Sequence, residues 1–294
     1  MNGITILDFD QSVSSQAEFL QKFRTKITMK SMASFKHTLR LWCSPKDFNK
    51  ARAAMRLQDV NQFTLLGSGD FHHLTLALLE QHQKPLTLVL FDNHPDWIRP
   101  PHQYHCGTWV YAAARLPQIA RIVIIGLESG DLAGKKFLTG DFVSFEQEKI
   151  VLLPYSLVEA QVGVSNQLVS LQSKLKLDFK AGIQEIMDAI VTEDVYISID
   201  KDCLRQEDAV TNWEHGSLPL DTVIDCIKTI NTLYSIVGAD TVGDYSAPTF
   251  FSPFKWIGSW LDRPANALLM KSQLKAKQVN SLANIKLANA LGFA

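Results

Sequence analysis

Short apolar runs, rich in β-branched residues, recur along the chain, and each run stops at a polar or glycine-containing turn. Runs of this length and composition are typical of strands that are buried on both faces of a sheet. We therefore predict strands over residues 4–7, 63–66, 86–91, 121–126, 150–153, 195–199 and 235–237.

Segments with helical spacing of apolar positions lie between these runs, and several open with Ser, Thr or Asp at the capping position. The pattern predicts helices over residues 74–83, 108–116, 157–175, 183–190 and 220–233, and a final amphipathic helix over 268–291. We predict a long structured loop at 250–264, and a solvated face or an early insertion at the basic run 26–40. Alternating strands and helices indicate an α/β fold with a mostly parallel central sheet covered on both faces, and we expect residues 1–294 to form a single domain.

Composition and charge narrow the classes of partner. The chain has 294 residues, 46% of them hydrophobic, and 29 Lys and Arg against 30 Asp and Glu, a formal net charge of −1. This balance leaves no excess positive charge for a nucleic-acid backbone or an anionic membrane. No stretch approaches the ~20 apolar residues that cross a bilayer, and the four cysteines form no C-x-x-C pair. We therefore expect a cytoplasmic protein that acts on a small-molecule substrate, without nucleic-acid or membrane partners.

Six of the eight histidines fall between residues 72 and 105, and this window contains the clearest candidate chemistry. The predicted strand 86–91 runs directly into Asp92-Asn93-His94-Pro95-Asp96. Because residues two apart in an extended chain point to the same side, Asp92, His94 and Asp96 can converge just beyond the carboxyl end of this strand. Open α/β sheets place their ligand sites at that edge.

Two further strand ends carry residues of the same kind. The strand 195–199 leads into Asp200 and Asp202, which also lie two apart. The strand 63–66 leads through a glycine-containing turn to Asp70 and His72. We expect a histidine of this turn to reach the same rim, and we interpret Asp70 as a turn or helix-capping residue.

Carboxylates and imidazoles crowded at one rim carry a cost on the order of several kcal/mol for each buried unpaired charge. Bound divalent cations resolve this conflict. Mixed Asp and His ligation suits Mn²⁺, with Mg²⁺, Fe²⁺, Co²⁺ or Zn²⁺ as alternatives, and bridging carboxylates hold two such ions about 3.5–4 Å apart. A water shared by the two ions would lose a proton near neutral pH and become a nucleophile.

Three motifs of the chain resemble those of the ureohydrolases, the family that includes arginase, agmatinase and formiminoglutamase. The stretches are Gly69-Asp70-Phe71-His72-His73-Leu74-Thr75, Asp92-Asn93-His94-Pro95-Asp96 and Ser198-Ile199-Asp200-Lys201-Asp202. They are similar to the family's G-G-D-H, D-x-H-x-D and S-x-D-x-D motifs in order and approximate separation. The resemblance extends from about Gly67 to Asp244, and several departures mark the chain as a divergent member.

The resemblance implies an α/β/α sandwich around a parallel sheet and two divalent metal ions. The ligand set carried over from the motifs comprises His72, Asp92, His94, Asp96, Asp200 and Asp202. Of these, Asp92 and Asp200 would bridge both ions. His72 with Asp96 would complete the first ion, and His94 with Asp202 the second.

The same resemblance implies an activity and an assembly. The activity is hydrolysis of a linear C–N bond, of amidine, guanidino, urea or amide type, by a hydroxide that bridges the metals. The assembly is a homo-oligomer, since the family often forms trimers or hexamers.

The chain departs from the family at the metal and proton-transfer positions. Phe71 is an extra residue in the first motif, so either His72 or His73 could be the ligand, and the parallel with the family's H-S-L-T favours His72. Where the family carries a His-Gly proton shuttle, this chain has Cys106 at the matching position and His105 one residue earlier. We take His105 as the candidate acid/base, which requires a shift of the loop.

Substrate recognition departs as well. The family's glutamate that grips a guanidinium group corresponds to Gly243, with Asp244 beside it. Loss of that anion removes a charge-assisted hydrogen bond, so arginine and agmatine are not favoured as substrates. We take Asp244 as a candidate catalytic or substrate-contacting residue, and Trp213 and His215 as candidate substrate contacts.

Other interpretations stay open. Arginase-like sheets also support one-zinc deacetylases, which need an Asp-His-Asp set that Asp92, or Asp200, with His94 could provide. The altered positions Cys106 and Gly243 also fit a non-catalytic descendant in which metals only hold loops together. A metallophosphoesterase is a weaker rival because no G-H-x-H motif follows. Metal stoichiometry separates one zinc from two metals, and activity against amides, ureas and guanidines separates an enzyme from a non-catalytic descendant.

Overall fold

The computed structural model describes residues 1–99, 104–132, 139–156, 158–162, 167–262 and 273–293. Its strands are β1 (Gly3–Asp8), β2 (Ile27–Ser31), β3 (Trp42–Cys43), β4 (Gln62–Gly67), β5 (Leu86–Phe91), β6 (Tyr104–His105), β7 (Ile119–Ile125), β8 (Ile150–Leu153), β9 (Val158–Val162), β10 (Gln167–Leu171), β11 (Asp194–Asp200) and β12 (Ser235–Val242). Its α-helices are α1 (Ala17–Lys22), α2 (Lys36–Leu39), α3 (Pro45–Ala54), α4 (Thr75–Leu79), α5 (Trp109–Ala113), α6 (Phe142–Glu146), α7 (Phe179–Ala189), α8 (Leu220–Leu233), α9 (Pro253–Asp262) and α10 (Gln273–Ala290).

One large sheet organises the fold. Within the described residues it has eight strands in the order β2-β1-β4-β12-β11-β5-β7-β8, and neighbouring strands pair in parallel throughout. All seven predicted strands belong to this sheet, so the predicted parallel sheet is confirmed. Parallel strands end at the same edge, and β4, β5 and β11 therefore present their carboxyl ends side by side with β12.

Helices cover both faces of the sheet, as the predicted α/β/α sandwich requires. Alternate residues of a strand point to opposite faces, and β5 shows the consequence. Val89 and Phe91 belong to a core cluster with residues of α1, α7, α8 and α10, whereas Leu88 and Leu90 belong to a second cluster with residues of α3, α4 and α5. The three-layer architecture is thus built from strands that are apolar on both sides.

Two predicted elements are wrong. The helix predicted over 157–175 is instead the antiparallel pair β9 and β10 in its described part, followed by a 3-10 turn at Lys174–Lys176. Valines at 158, 162 and 169 favour extended backbone, and this preference outweighed the helical spacing. The loop predicted over 250–264 contains α9, which Pro253 begins at a position where its missing N–H costs nothing; residues 263–264 lie outside the described ranges.

Other boundaries shifted. The helices predicted over 74–83 and 108–116 are shorter, as α4 and α5, and the C-terminal helix is confirmed over Gln273–Ala290, with 268–272 outside the described residues. The basic run 26–40 contains the unpredicted edge strand β2, whose mostly exposed side chains lack a continuous apolar run. Arg40, at the end of this run, is fully buried and so departs from the predicted solvated face. None of the helices in the described ranges is long and apolar enough to span a membrane.

Candidate metal centre

Three strands deliver the predicted ligands to the carboxyl edge of the sheet. β4 continues into a 3-10 helix, Gly69–Leu74, which carries His72 and is capped by the Ser68 hydroxyl, an acceptor from the Asp70 amide at 3.3 Å. β5 ends immediately before Asp92, and β11 ends on Asp200. The side chains that the sequence places at separate strand ends therefore meet at one point.

The first group of side chains surrounds Nδ1 of His72. This nitrogen lies 3.2 Å from Oδ2 of Asp92 and 3.4 Å from Oδ2 of both Asp200 and Asp96. His72, Asp92 and Asp200 each offer one ligand atom, and the three atoms lie within 4.8 Å of one another. His72 is therefore the histidine that enters the cluster, whereas Nε2 of His73 lies 3.7 Å from the sulfur of Cys43.

The second group shares Asp92 with the first. It consists of Asp92, His94 and Asp202, whose ligand atoms again lie within 4.8 Å of one another. Nδ1 of His94 lies 3.0 Å from Oδ2 of Asp202 and 3.8 Å from Oδ1 of Asp92. Backbone amides hold the carboxylates in place, since Oδ1 of Asp92 accepts from the amide of His94 at 2.7 Å and Oδ1 of Asp202 from that of Asn93 at 3.2 Å.

Asp96 stands at the edge of the first group. It adopts a left-handed backbone conformation with φ of 47°, and its Oδ2 accepts a hydrogen bond from the indole Nε1 of Trp109 at 2.8 Å. Its carbonyl accepts from the amide of Val110 at 3.0 Å. Helix α5 thus fixes both the backbone and the carboxylate of Asp96.

Burial and neighbouring carboxylates together set the protonation of the two histidines. Burial alone would lower the pKa of His72, but Asp92 and Asp96 outweigh it and raise that pKa well above its ordinary value. Burial alone would also lower the pKa of His94, but Asp202 outweighs it and raises that pKa well above its ordinary value. Both imidazoles therefore compensate the charge of the surrounding carboxylates.

The carboxylates themselves are electrostatically crowded. Burial, followed by the charges of Asp96 and Asp202, raises the pKa of Asp92 well above its ordinary value. Burial, followed by Asp202, raises the pKa of Asp200 to about 7. Carboxylates with raised pKa values at the carboxyl edge of a sheet are typical of sites that bind cations or carry out acid/base chemistry.

A hydrogen-bond chain orients His72 from behind. Its Nε2 lies 3.1 Å from the hydroxyl of Ser198, and that hydroxyl donates to Oδ1 of the buried Asp240 at 2.8 Å. Thr75 also donates to this oxygen, at 3.1 Å, and Tyr196 donates to Oδ2 at 2.9 Å. Because the Ser198 proton is used by Asp240, the hydroxyl accepts from Nε2–H of His72, so in the neutral ring the Nδ1 lone pair faces Asp92.

Two glycines leave room for the Asp200 carboxylate. A Cβ at Gly69 would lie 2.9 Å from Oδ2 of Asp200, and a Cβ at Gly243, where φ is 89°, would lie 2.7 Å from Oδ1. Both contacts are closer than real Cβ atoms make, so a side chain at either position would displace the Asp200 carboxylate. The glutamate that the resemblance to the ureohydrolases implies at position 243 would meet this crowding and a left-handed backbone as well.

Five of the six predicted ligands, all except His72, line a cavity of about 340 Å³. Its described lining residues are Gly69, Asp92, His94, Asp96, Ile98, His105, Cys106, Gly107, Gly130, Asp131, Asp200, Asp202, Trp213 and Glu214. The predicted residues His105 and Trp213 are therefore brought to the site. Nδ1 of His105 accepts from the amide of Gly107 at 2.9 Å, so the proton of the neutral ring resides on Nε2.

Asp244 and His215 are not brought to this cavity. Asp244 is fully buried and belongs to a network that we call the lysine cluster, formed by Gln16, Lys201, Asp244 and Asn284. Nζ of Lys201 donates to Asp244 at 2.7 Å and to Asn284 at 2.8 Å, and Nε2 of Gln16 donates to Asp244 at 2.7 Å. Nδ1 of His215 lies 3.2 Å from the carbonyl of Leu204.

Several residues at the site escaped sequence reasoning. Glu214 and Asp131 line the cavity; the only signal for Glu214 was its position next to Trp213. Asp70, interpreted as a turn residue, is fully buried, forms a 2.6 Å ion pair with Arg40 and accepts from the indole of Trp213 at 3.1 Å. No local pattern indicates this pair, because Arg40 ends a basic run in which Lys26 and Lys30 are exposed.

A parallel α/β/α sheet with Asp and His side chains clustered beyond its carboxyl edge defines the structural class. The model of the arginase family matches residues 48–243. The chain belongs to the arginase family, which confirms the predicted resemblance to the ureohydrolases. Sequence identity to a relative is low. An uncharacterized protein of Thermotoga maritima is 29% identical over 181 residues, which are 62% of this chain but only 57% of that relative's length.

Solved structures show the same fold at low identity. The proclavaminate amidino hydrolase of Streptomyces clavuligerus has a TM-score of 0.58 and 16% identity, covering 98% of this chain and 93% of that one. Arginase of Bacillus cereus has a TM-score of 0.57 and 15% identity, covering 97% and 98%. A formiminoglutamase variant of Trypanosoma cruzi, solved with Mn²⁺, has a TM-score of 0.57 and 14% identity, covering 99% and 93%. At these identities, the structural likeness establishes the fold.

Proposed function

We propose that this protein, as a single arginase-like domain of residues 1–294, is a metal-dependent hydrolase of a linear C–N bond of amidine, guanidino, urea or amide type. One observation carries the proposal. Two groups of ligand-type side chains meet at the carboxyl edge of the sheet and share one carboxylate, Asp92. Shared carboxylates are the arrangement by which proteins hold paired divalent ions.

The side chains fit a metal on their own chemistry. Nδ1 of His72 and Oδ2 of Asp92 are buried and make no hydrogen bond within the described part of the chain, although unsatisfied buried polar atoms are rare. The Ser198 hydroxyl orients His72 with its Nδ1 lone pair toward Asp92, as a metal-ligating histidine requires. A mixed set of carboxylate and imidazole ligands suits Mn²⁺, the ion named for the Trypanosoma cruzi structure.

The ligands divide between two ions. His72, Asp92 and Asp200 would hold one, with Asp96 beside His72 as a further ligand, and Asp92, His94 and Asp202 would hold the other. Sharing by Asp92 agrees with the bridging role expected for it, whereas Asp200 belongs to one group only. When bound, the pair of ions would polarise the scissile group and lower the pKa of water in the cavity.

The remaining cavity residues position the substrate and move protons. His105 lines the cavity and accepts a backbone hydrogen bond at Nδ1, so its neutral ring can donate a hydrogen bond from Nε2–H. Only the imidazolium form could give a proton to a leaving amine, and forming it requires release of the hydrogen bond from the Gly107 amide. Trp213, held by Asp70, forms an apolar wall that restricts water. Asp244 and His215 are engaged elsewhere, so we assign neither of them a role in this reaction.

Metal analysis combined with a substrate panel tests the proposal. Protein purified with Mn²⁺ should hold two ions per chain and hydrolyse at least one member of a panel of amidines, guanidines, ureas and amides. Asp92→Asn should lose both the metal and the hydrolysis, because it removes charge from both groups. The matched surface variant Asp225→Asn should keep both.

Other results would replace the proposal. One tightly bound zinc per chain, with activity on acetylated amines only, would identify a deacetylase. Two ions without turnover on any member of the panel would identify a non-catalytic descendant. A wild-type protein that holds no divalent ion after incubation with Mn²⁺ or Zn²⁺ would remove the metal centre altogether.

A further inference from the structure

A second cavity lies at the same edge of the sheet as the candidate metal centre. Its described lining comes mostly from the segments that follow β1 and β12, the two strands on either side of β4. Open α/β sheets bind ligands beyond the carboxyl ends of their strands. The cavity has a volume of about 210 Å³, which suits a small organic molecule rather than a single water. It shares no described lining residue with the cavity of the metal centre.

The floor of the second cavity is buried, and its polar groups are satisfied within the protein. Oδ1 of Asp10 accepts from the hydroxyl of Ser12 at 2.6 Å and from its amide at 3.1 Å. Oδ2 of Asp10 accepts from the hydroxyl of Ser246 at 2.5 Å, and that hydroxyl accepts from Arg40 at 2.8 Å. The Asp10 carboxylate therefore has its donors already, and it does not call for a cation from outside.

The walls of the second cavity carry positive charge. Lys36 and Lys277 line it, and both are half-buried. Neither ammonium group forms an ion pair with a described residue of the chain. Lys277 lies four residues after Gln273 on α10, and both line the cavity, so one face of this helix is turned toward it. The two lysines thus leave positive charge at the cavity that a bound anion could balance.

One hydroxyl at the second cavity lacks the partner that a buried group normally has. Oγ1 of Thr249 is buried and makes no hydrogen bond within the described part of the chain, although unsatisfied buried polar atoms are rare. Thr249 lines the cavity, and its carbonyl oxygen lies 3.2 Å from Nδ1 of His37. Because threonine has alternative staggered rotamers about χ1, its hydroxyl can turn to donate to a bound group.

We propose that the second cavity is a binding site for a small organic anion that carries a carboxylate or a phosphate group. Lys36 and Lys277 bind the anion, and the Thr249 hydroxyl donates to it. Ammonium groups form charge-assisted hydrogen bonds with both kinds of anion. A cation would instead meet two like charges and a carboxylate whose oxygens already accept hydrogen bonds. The site goes beyond the proposed function, because it does not depend on the metal centre.

Calorimetric titration of the full-length protein tests the proposal. The protein is first treated with a chelator and then dialysed free of it, so that neither a metal ion nor the chelator competes for the anion. The probes are succinate, inorganic phosphate and succinamide, which is the uncharged analogue of succinate. We expect succinate or phosphate to bind, and the tighter of the two identifies the anionic group that the site prefers. Succinamide should not bind measurably.

Three variants of the lining residues locate the anion. Lys36→Gln and Lys277→Gln should each weaken its binding about five- to tenfold, as loss of one partly exposed charged contact requires. The double variant should show no measurable binding. Thr249→Val keeps every charge and should still weaken binding, because it removes the hydroxyl. Lys50→Gln is the matched control, since Lys50 is exposed, lies outside the described lining and carries the same charge.

Contrary results would overturn the inference. These are no measurable binding of either anion by wild type, binding of succinamide as tight as that of succinate, or equal affinity in wild type and the double variant. A loss in Lys50→Gln as large as in Lys277→Gln would assign the binding to net charge instead of the cavity. Unchanged affinity in Thr249→Val would place the anion outside the cavity. None of these results bears on the metal centre, because the titrated protein is free of metal.

Discussion

Two buried polar clusters lie on either side of the end of β11, and they are built on opposite principles. In the lysine cluster, the carboxylate of Asp244 meets a cation, Lys201, and amide donors from Gln16 and Asn284. In the candidate metal centre, Asp92 meets further carboxylates, and its Oδ2 makes no hydrogen bond within the described residues. Residues adjacent in sequence, Asp200 and Lys201, thus belong to clusters of different kinds.

The difference shows how to recognise a ligand site among buried charges. A buried ion pair that satisfies its own hydrogen bonds holds elements together, here the end of β11 with α10 through Asn284. A buried cluster that contains an excess of one charge and leaves ligand atoms unpaired is stable only with a partner from outside. On this criterion, Asp244 is assigned a structural role and Asp92 is the proposed ligand, although both follow apolar strands in sequence.

The largest effect that tests this comparison should come from the lysine cluster. Lys201→Met would leave Asp244 charged, buried and without its cation. Removing one partner of a buried pair costs roughly 3–5 kcal/mol, and we expect a loss of this size in the free energy of unfolding, measured by urea denaturation in a chelating buffer.

Two further variants serve as controls. The double variant Lys201→Met with Asp244→Asn removes the stranded charge and should recover much of the loss. Asp92→Asn should instead raise the free energy of unfolding in the same chelating buffer, because it removes a carboxylate whose pKa is raised by burial and by like charges. If Asp92→Asn destabilised the protein as much as Lys201→Met does, the two clusters would not differ in kind.

A smaller effect should follow from the hydrogen-bond chain behind His72. Ser198→Ala removes the acceptor for Nε2–H of His72, so the imidazole loses the contact that fixes its tautomer and its orientation. Changes of this kind in the second layer around a metal reduce affinity roughly 10- to 100-fold. We expect a loss within this range in Mn²⁺ affinity, measured by competition with a chromophoric chelator.

Thr75→Val is the matched control for this variant. Thr75 donates to the same oxygen of Asp240 as Ser198 does, but its hydrogen bond is to Asp240 rather than to His72. Its removal should leave Mn²⁺ affinity close to that of wild type. Equal losses in Ser198→Ala and Thr75→Val would mean that the fold around Asp240, rather than the orientation of His72, controls the metal.

Much of the fold could be predicted from the continuous apolar runs in the sequence. Strands buried on both faces, such as β5 and β11, leave an unmistakable pattern in the sequence, and their order along the chain with intervening helices indicates a parallel sheet. The edge strand β2 was missed because its side chains are mostly exposed, and the β9–β10 pair was missed because local strand propensity and helical spacing conflict there. Periodicity reports burial, so it fails where burial is partial.

The residues of the candidate metal centre that were predicted from the sequence lie in motifs at strand ends. Contacts between residues far apart in the sequence were not predicted. Asp92 follows β5 directly, Asp200 ends β11, and His72 follows β4 after a short turn, so neighbouring strand ends bring them together. The role of Asp244 was predicted from its neighbourhood in sequence, yet its partner Gln16 lies 228 residues away. The burial of Arg40, which holds Asp70, could not be predicted either, because nothing in the sequence distinguishes it from the exposed Lys26 and Lys30 of the same basic run.

The last predicted effect concerns pH and distinguishes the metal centre by its sign. The folded protein without metal retains protons that the unfolded chain loses, because the pKa values of His72 and His94 are raised well above 6.5 and that of Asp200 is raised from 3.8 to about 7. Its stability should therefore fall as the pH rises from about 5 to 8, since the folded state binds more protons than the unfolded state over this range.

Mn²⁺ competes with the same protons, so its affinity should rise over this interval, by about tenfold per pH unit for each proton displaced. Urea denaturation at pH 5.5, 6.5 and 7.5, with chelator or with Mn²⁺, should show two curves that diverge as the pH increases. Parallel curves would mean that the ion binds without displacing protons, which the crowded carboxylates around Asp92 do not permit.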